Sequence, residues 1–260
     1  MEVVIVPGPD AAGELVGGAV AALVARGPGA VLGLATGSSP LAVYRNLAGR
    51  HAGGGLSLAA AGAFLLDEYV GLPAGHPQSY RSFIARELEA HVDFEPGAIR
   101  GPDVDADDLL AACDAYEAAI RNGGGVDLQL LGIGTDGHIG FNEPGSSLAS
   151  RTRIKTLTDQ TRQDNARFFA SLDEVPRHVV TQGVGTILEA RHLVLLAFGP
   201  RKAEAVAAAV EGPVTAMAPA SALQLHPHAT VVVDEPVAVR LRLADYYRET
   251  WAHKPPWQGL

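Results

Sequence analysis

The chain has 260 residues, of which 47% are hydrophobic and 19% charged, with a net charge of −9, so it can bury a sizeable core and is not of the disordered class. One cysteine excludes a disulfide scaffold and a cysteine zinc site, and an acidic balance without a basic cluster argues against nucleic acid or anionic membrane as a partner. No run of about 18 apolar residues suggests a membrane span, and Glu2 and Asp10 stand where a basic leader would begin, so a cytoplasmic protein is expected.

In chain order, 2–6 (EVVIV) reads as a strand and is followed by an Ala-, Leu- and Val-rich helix to about Arg26. Further apolar strand-like runs fall at 30–35, 62–66, 126–132, 192–198 and 229–234, with helical segments at 40–49, 77–91, 104–121, 200–210 and 236–249 between them. Runs without alternation belong to strands covered on both faces. Strands alternating with helices predict a single α/β domain over 1–260, a Rossmann-like, mostly parallel sheet with helices on both faces. Gly53–Gly55 and Gly123–Gly125 read as turns rather than domain boundaries.

In such sheets ligands bind beyond the carboxyl ends of the strands, and three of those places are rich in chemistry. After 30–35 come Thr36, Gly37, Ser38, Ser39 and Pro40, which suit either a phosphate cradle at a helix start or an ordinary serine cap. After 62–66 come Asp67, Glu68 and Tyr69; adjacent carboxylates at a strand end suit a general base, or a solvated acidic turn. After 126–132 comes LGIGTDGHIGFNEP. Its Gly132, Gly134 and Gly137 match a dinucleotide fingerprint, but Asp136 would face the pyrophosphate, and Gly140, Asn142 and Pro144 break the helix that motif needs. What remains is Asp136, His138 and Glu143 on one loop, a histidine flanked by carboxylates that suits proton transfer.

The stretch 150–169 gathers Arg151, Arg153, Lys155, Arg162 and Arg167, either a solvated face or an anion-binding flap, and Lys202 stands just after the run at 192–198. His226 and His228 have no third ligand nearby, so no metal is expected. The tail with Trp251 and Trp257 carries no readable role.

LATGSSP, FLLDEYVGL, GIGTDGHIGFNEP, SRTRIKTL and SALQLHPHATVVVDEP together resemble the ordered blocks of the glucosamine-6-phosphate deaminase (isomerase) family, from about residue 30 to 236. The related 6-phosphogluconolactonases share a similar loop, but Tyr69 and the run Phe141-Asn142-Glu143-Pro144 side with the deaminases. The resemblance implies conversion of glucosamine 6-phosphate and water to fructose 6-phosphate and ammonia, without cofactor or metal. It implies Asp67 as the C2 base and His138, held by Asp136 and Glu143, as the ring-opening acid/base. Thr36, Gly37, Ser38, Ser39, Arg167 and Lys202 would hold the phosphate, with Arg167 on a mobile lid at about 157–180. In hexameric relatives an effector sugar phosphate binds residues matching Ser146, Arg153 and Lys155. Here the tail and residues 215–219 depart from the family pattern, so both monomer and homo-oligomer stay open.

Overall fold

The computed structural model describes every residue except 167, 168 and 170, and the side chains of residues 160, 164, 165 and 256 are also outside the description. In chain order the elements are β1 (Glu2–Val6), α1 (Pro9–Arg26), β2 (Val31–Leu34), α2 (Leu41–Ala52), β3 (Gly62–Leu65), β4 (Asp67–Tyr69), α3 (Tyr80–Glu87), β5 (Ile99–Arg100), α4 (Leu109–Asn122) and β6 (Leu128–Leu131). They continue with β7 (Arg153–Thr156), α5 (Asp159–Ala166), β8 (His178–Thr181), α6 (Val184–Ile187), β9 (Leu193–Ala197), α7 (Ala203–Glu211), β10 (Ala229–Asp234), α8 (Glu235–Ala238) and α9 (Ala244–Ala252).

Seven strands form a parallel sheet in the order β1-β10-β9-β6-β2-β3-β5. Every residue of β2, β6, β9 and β10 is buried, the burial expected of strands whose two faces are both covered. The α/β architecture read from the sequence is therefore present, with the core running along Val4, Leu32, Leu131, Leu195 and Val232. From β2 the chain builds outward through β3 and β5, then returns to lay β6 against the other side of β2. That reversal makes β2 and β6 the topological switch point, where loops part and leave a crevice.

Helix starts are set locally. Asp108 caps α4 by accepting from Leu110 and Ala111 N–H, so the helix expected from 104 begins only at Leu109. The helix expected over 200–210 begins with a 3₁₀ turn at Pro200–Lys202, and that expected over 236–249 is two helices, α8 and α9.

A second sheet is antiparallel, in the order β4-β8-β7. It reaches the first through Leu66, whose N–H donates to Leu34 O at 3.2 Å and whose carbonyl accepts from Gln182 N at 2.8 Å. The sequence does not announce this sheet, because its strands span three or four residues and β7 alternates cations with Ile154 and Thr156.

Candidate active site

The loops after β2 and β6 meet at the switch point. A Cβ placed on Gly132 would lie 3.8 Å from Ser39 Oγ, which puts the serine loop beside the start of the glycine-rich loop. Pro40 is the N-cap of α2, and no side chain caps that helix. The ordinary serine-cap alternative is therefore not what forms. Gly37 and Ser38 are exposed, and Gly37 has φ +89°, so the turn presents itself and the positive end of α2 to the crevice.

Asp67 is the first residue past the Leu66 crossover and is 6% exposed. Its carboxylate has no hydrogen-bond partner among the described residues, and Oδ2 lies 3.5 Å from where a Gly140 Cβ would stand. Burial raises its pKa well above the ordinary carboxylate range, and the neighbouring Glu68 charge raises it further. Glu68 has a different task. It accepts from Tyr69 N (2.8 Å), Tyr80 N (2.9 Å) and Arg81 N (2.8 Å), pinning the start of α3 to β4. Burial raises its pKa as well, against the opposing pull of those three N–H groups.

The glycine-rich loop is folded around His138. Its carbonyl accepts from Gly134 N at 2.9 Å, and Gly137 N donates to Gly134 O at 3.1 Å, with Gly137 at φ +86°. The ring lies over Gly134 so closely that a Cβ there would come within 2.2 Å of Cε1 and Nδ1. Asp136 Oδ1 sits 2.6 Å from His138 Nδ1 and accepts from His138 N at 3.2 Å. The hydrogen bond with His138 lowers the Asp136 pKa, outweighing the upward effect of burial. One flank of the expected arrangement is thus in place, and the other differs. Among the described residues Glu143 makes no ion pair with His138; its Oε1 accepts from Thr161 Oγ1 and, at 3.4 Å, from Thr158 Oγ1. The reason is proximity, since the start of α5 lies against this loop.

Beneath the site, Thr181 Oγ1 accepts from Phe141 N at 3.1 Å, and Asn142 Nδ2 donates to Ile139 O (3.0 Å) and Gln182 O (2.8 Å). Tyr69, Tyr80, Phe141 and Phe169 make a small aromatic wall beside it, with Tyr69 centroids 4.9 Å from Tyr80 and 5.8 Å from Phe169. The sequence marked Tyr69 and Phe141 within their motifs but did not show that they join Tyr80 and Phe169 in one wall, because the four rings converge from separate segments.

Lys202 ends the turn after β9, the strand on the far side of β6 from β2, and so lies along the same carboxyl edge. Arg167, expected to hold phosphate, lies outside the described residues, as does part of the expected lid. Arg153 and Lys155 occupy alternate positions of β7, neither within an ion pair among the described residues, and Ser146 Oγ is buried without a partner. Among the described residues no group of three or more His, Cys, Asp or Glu is placed to hold a metal, and no helix is long and apolar enough to cross a membrane.

The family described as glucosamine-6-phosphate isomerases/6-phosphogluconolactonase matches residues 9–233. Glucosamine-6-phosphate deaminases from Mycolicibacterium smegmatis and Streptomyces coelicolor are each 64% identical over 261 residues, covering 100% of both chains. Among solved structures, a monomeric glucosamine-6-phosphate deaminase superposes with a TM-score of 0.89 at 42% identity, covering 92% of this chain and 100% of that one. A 6-phosphogluconolactonase from Thermotoga maritima shares the fold with a TM-score of 0.71 at 20% identity, covering 90% of this chain and 98% of its own. With its parallel sheet, its switch-point crevice and a family match across most of its length, the chain belongs to the glucosamine-6-phosphate isomerase/6-phosphogluconolactonase family.

Proposed function

We propose that this chain converts glucosamine 6-phosphate and water to fructose 6-phosphate and ammonia, with Asp67 and His138 moving the protons. The observation that carries the assignment of the base is the buried Asp67 carboxylate, free of hydrogen bonds among the described residues and facing Gly140 at the switch-point crevice. A desolvated carboxylate with a raised pKa is a better proton acceptor than one in water. Full-length deaminase relatives at 64% identity, against lactonases at 20%, favour amine release over lactone hydrolysis.

The substrate enters as a closed pyranose. His138 carries a proton from the anomeric hydroxyl to the ring oxygen, and Asp136 holds its Nδ1 side. The open aldehyde acidifies the C2 hydrogen; Asp67 removes it, giving an enolamine, and returns the proton at C1. The C2 imine that results takes up water, and its C–N bond breaks to release ammonia and leave the ketose. Thr36, Gly37, Ser38, Ser39, Lys202 and Arg167 are the proposed phosphate ligands, supported by the uncapped start of α2 and the shared carboxyl edge. Ser146, Arg153 and Lys155 are proposed as a second anion site, supported by the two β7 cations without carboxylate partners among the described residues and by the unpartnered Ser146 hydroxyl. The cytoplasm is the proposed setting, since a phosphorylated sugar does not leave it by diffusion.

The test is ammonia release from glucosamine 6-phosphate, with glucosamine 1-phosphate and glucosamine as controls. Release confined to the 6-phosphate is expected; its absence would reject the reaction.

A further inference from the structure

We propose that Thr158 and Thr161, at the start of α5, are positioning residues that aim Glu143 for the proton transfers. The inference rests on the reading of Glu143 as part of the acid/base group. Glu143 is 8% exposed, and its Oε1 accepts from the Thr161 hydroxyl and from that of Thr158, while Oε2 has no partner among the described residues. The two hydroxyl oxygens are 2.9 Å apart, and Thr158 Oγ1 also receives Thr161 N–H at 3.2 Å. Thr158 thus caps the first turn of α5 and turns that turn towards the carboxylate.

The turn itself is anchored from behind. Arg162, one residue on, is 4% exposed, and its guanidinium donates to Val175 O (3.2 and 3.1 Å) and Leu172 O (2.7 Å). The threonines therefore stand on a fixed support. A buried carboxylate that would otherwise choose freely among rotamers is held by one oxygen, with the other kept for chemistry. This explains why Glu143 faces α5 rather than His138, and it makes the seating of α5 and the aim of Glu143 a single event.

The test pairs kinetics with hydrogen exchange. Thr161→Val keeps the side-chain shape and removes the hydroxyl. It should lower kcat for ammonia release about tenfold, the scale of one charge-assisted hydrogen bond, with KM within about twofold. Thr161→Ser should restore kcat to within about twofold of the parent. In a Glu143→Ala background, measured by its residual turnover, Thr161→Val should cost nothing further, because the threonine acts through that carboxylate. Undiminished kcat in Thr161→Val, or an equal loss in both backgrounds, would overturn the proposal. Without substrate, backbone amides of α5 should exchange faster in Thr161→Val and Glu143→Ala but not in Thr161→Ser; unchanged exchange in the first two overturns the contact. Because exchange needs no turnover, an enzyme inert towards glucosamine 6-phosphate would reject the reaction and still leave this contact decided.

Discussion

At the scale of single residues, the pair Asp67 and Glu68 divides two tasks that the sequence presents side by side. As the proposed base Asp67 must be ionised to act, and burial raises its pKa, so kcat/KM should rise with pH through a limb lying above the usual carboxylate range. Removing the like charge with Glu68→Gln should move that limb to lower pH. Asp67→Asn should cut turnover by about 10²–10⁴-fold and stop C2 hydrogen exchange with solvent. The same substitution should raise the melting temperature at neutral pH. A carboxyl whose folded pKa is raised binds more protons folded than unfolded, so its ionisation weakens the fold as pH climbs from the unfolded value through the folded one. A higher acid limb in Glu68→Gln, or a less stable Asp67→Asn, would contradict this account. Asp67, Asp136 and His138 were legible because each follows an apolar strand run within a few residues. The anchoring of α3 by Glu68 was not, since its partners lie twelve and thirteen residues away. The hold of α5 on Glu143 was equally hidden, because only the folded chain brings Thr161 to it.

At the scale of elements, the glycine-rich loop depends on one close approach. Gly134→Ala would place a methyl carbon 2.2 Å from the His138 ring, so the ring must leave its place beside Asp136. We expect a loss of about 1–3 kcal/mol in stability from overpacking, together with a fall in kcat larger than that of any surface substitution. Thermal melting and ammonia kinetics on one preparation would check both. The loop could be found from its glycines and charges. Which glycine served which purpose could not, because a fingerprint spacing does not say whether a ring or a pyrophosphate lies above it. The antiparallel sheet was missed for a different reason: β4 and β7 carry charged residues where alternation would otherwise mark a strand, and their pairing through β8 joins segments far apart in sequence.

At the scale of the whole molecule, the amino edge of the parallel sheet, opposite the candidate site, should contribute to acid sensitivity. His192 is 6% exposed, donates or accepts through Nε2 to Thr230 Oγ1 at 2.9 Å, and stacks on His228 with centroids 3.6 Å apart. Burial, followed by the nearby His228, His226 and Lys254, lowers its pKa to about 3. The unfolded chain then binds more protons than the folded one between about 6.5 and about 3, so stability should fall as pH drops through that window. His192→Gln should flatten the dependence of melting temperature on pH there, and an unchanged slope would assign acid sensitivity elsewhere. Six of the seven strands of the parallel sheet were legible because apolar runs mark strands buried on both faces; the edge strand β5, two residues ending in the exposed Arg100, and the crossover at Leu66 were not. That crossover has a mechanical consequence. Asp67 is joined by one residue to the buried parallel sheet, while Glu143 meets its partners at the start of α5, outside that sheet. On the proposed roles, the base is referenced to bedrock and Glu143 to scaffolding, so the periphery could be remodelled for another substrate without resurveying where the proton is taken.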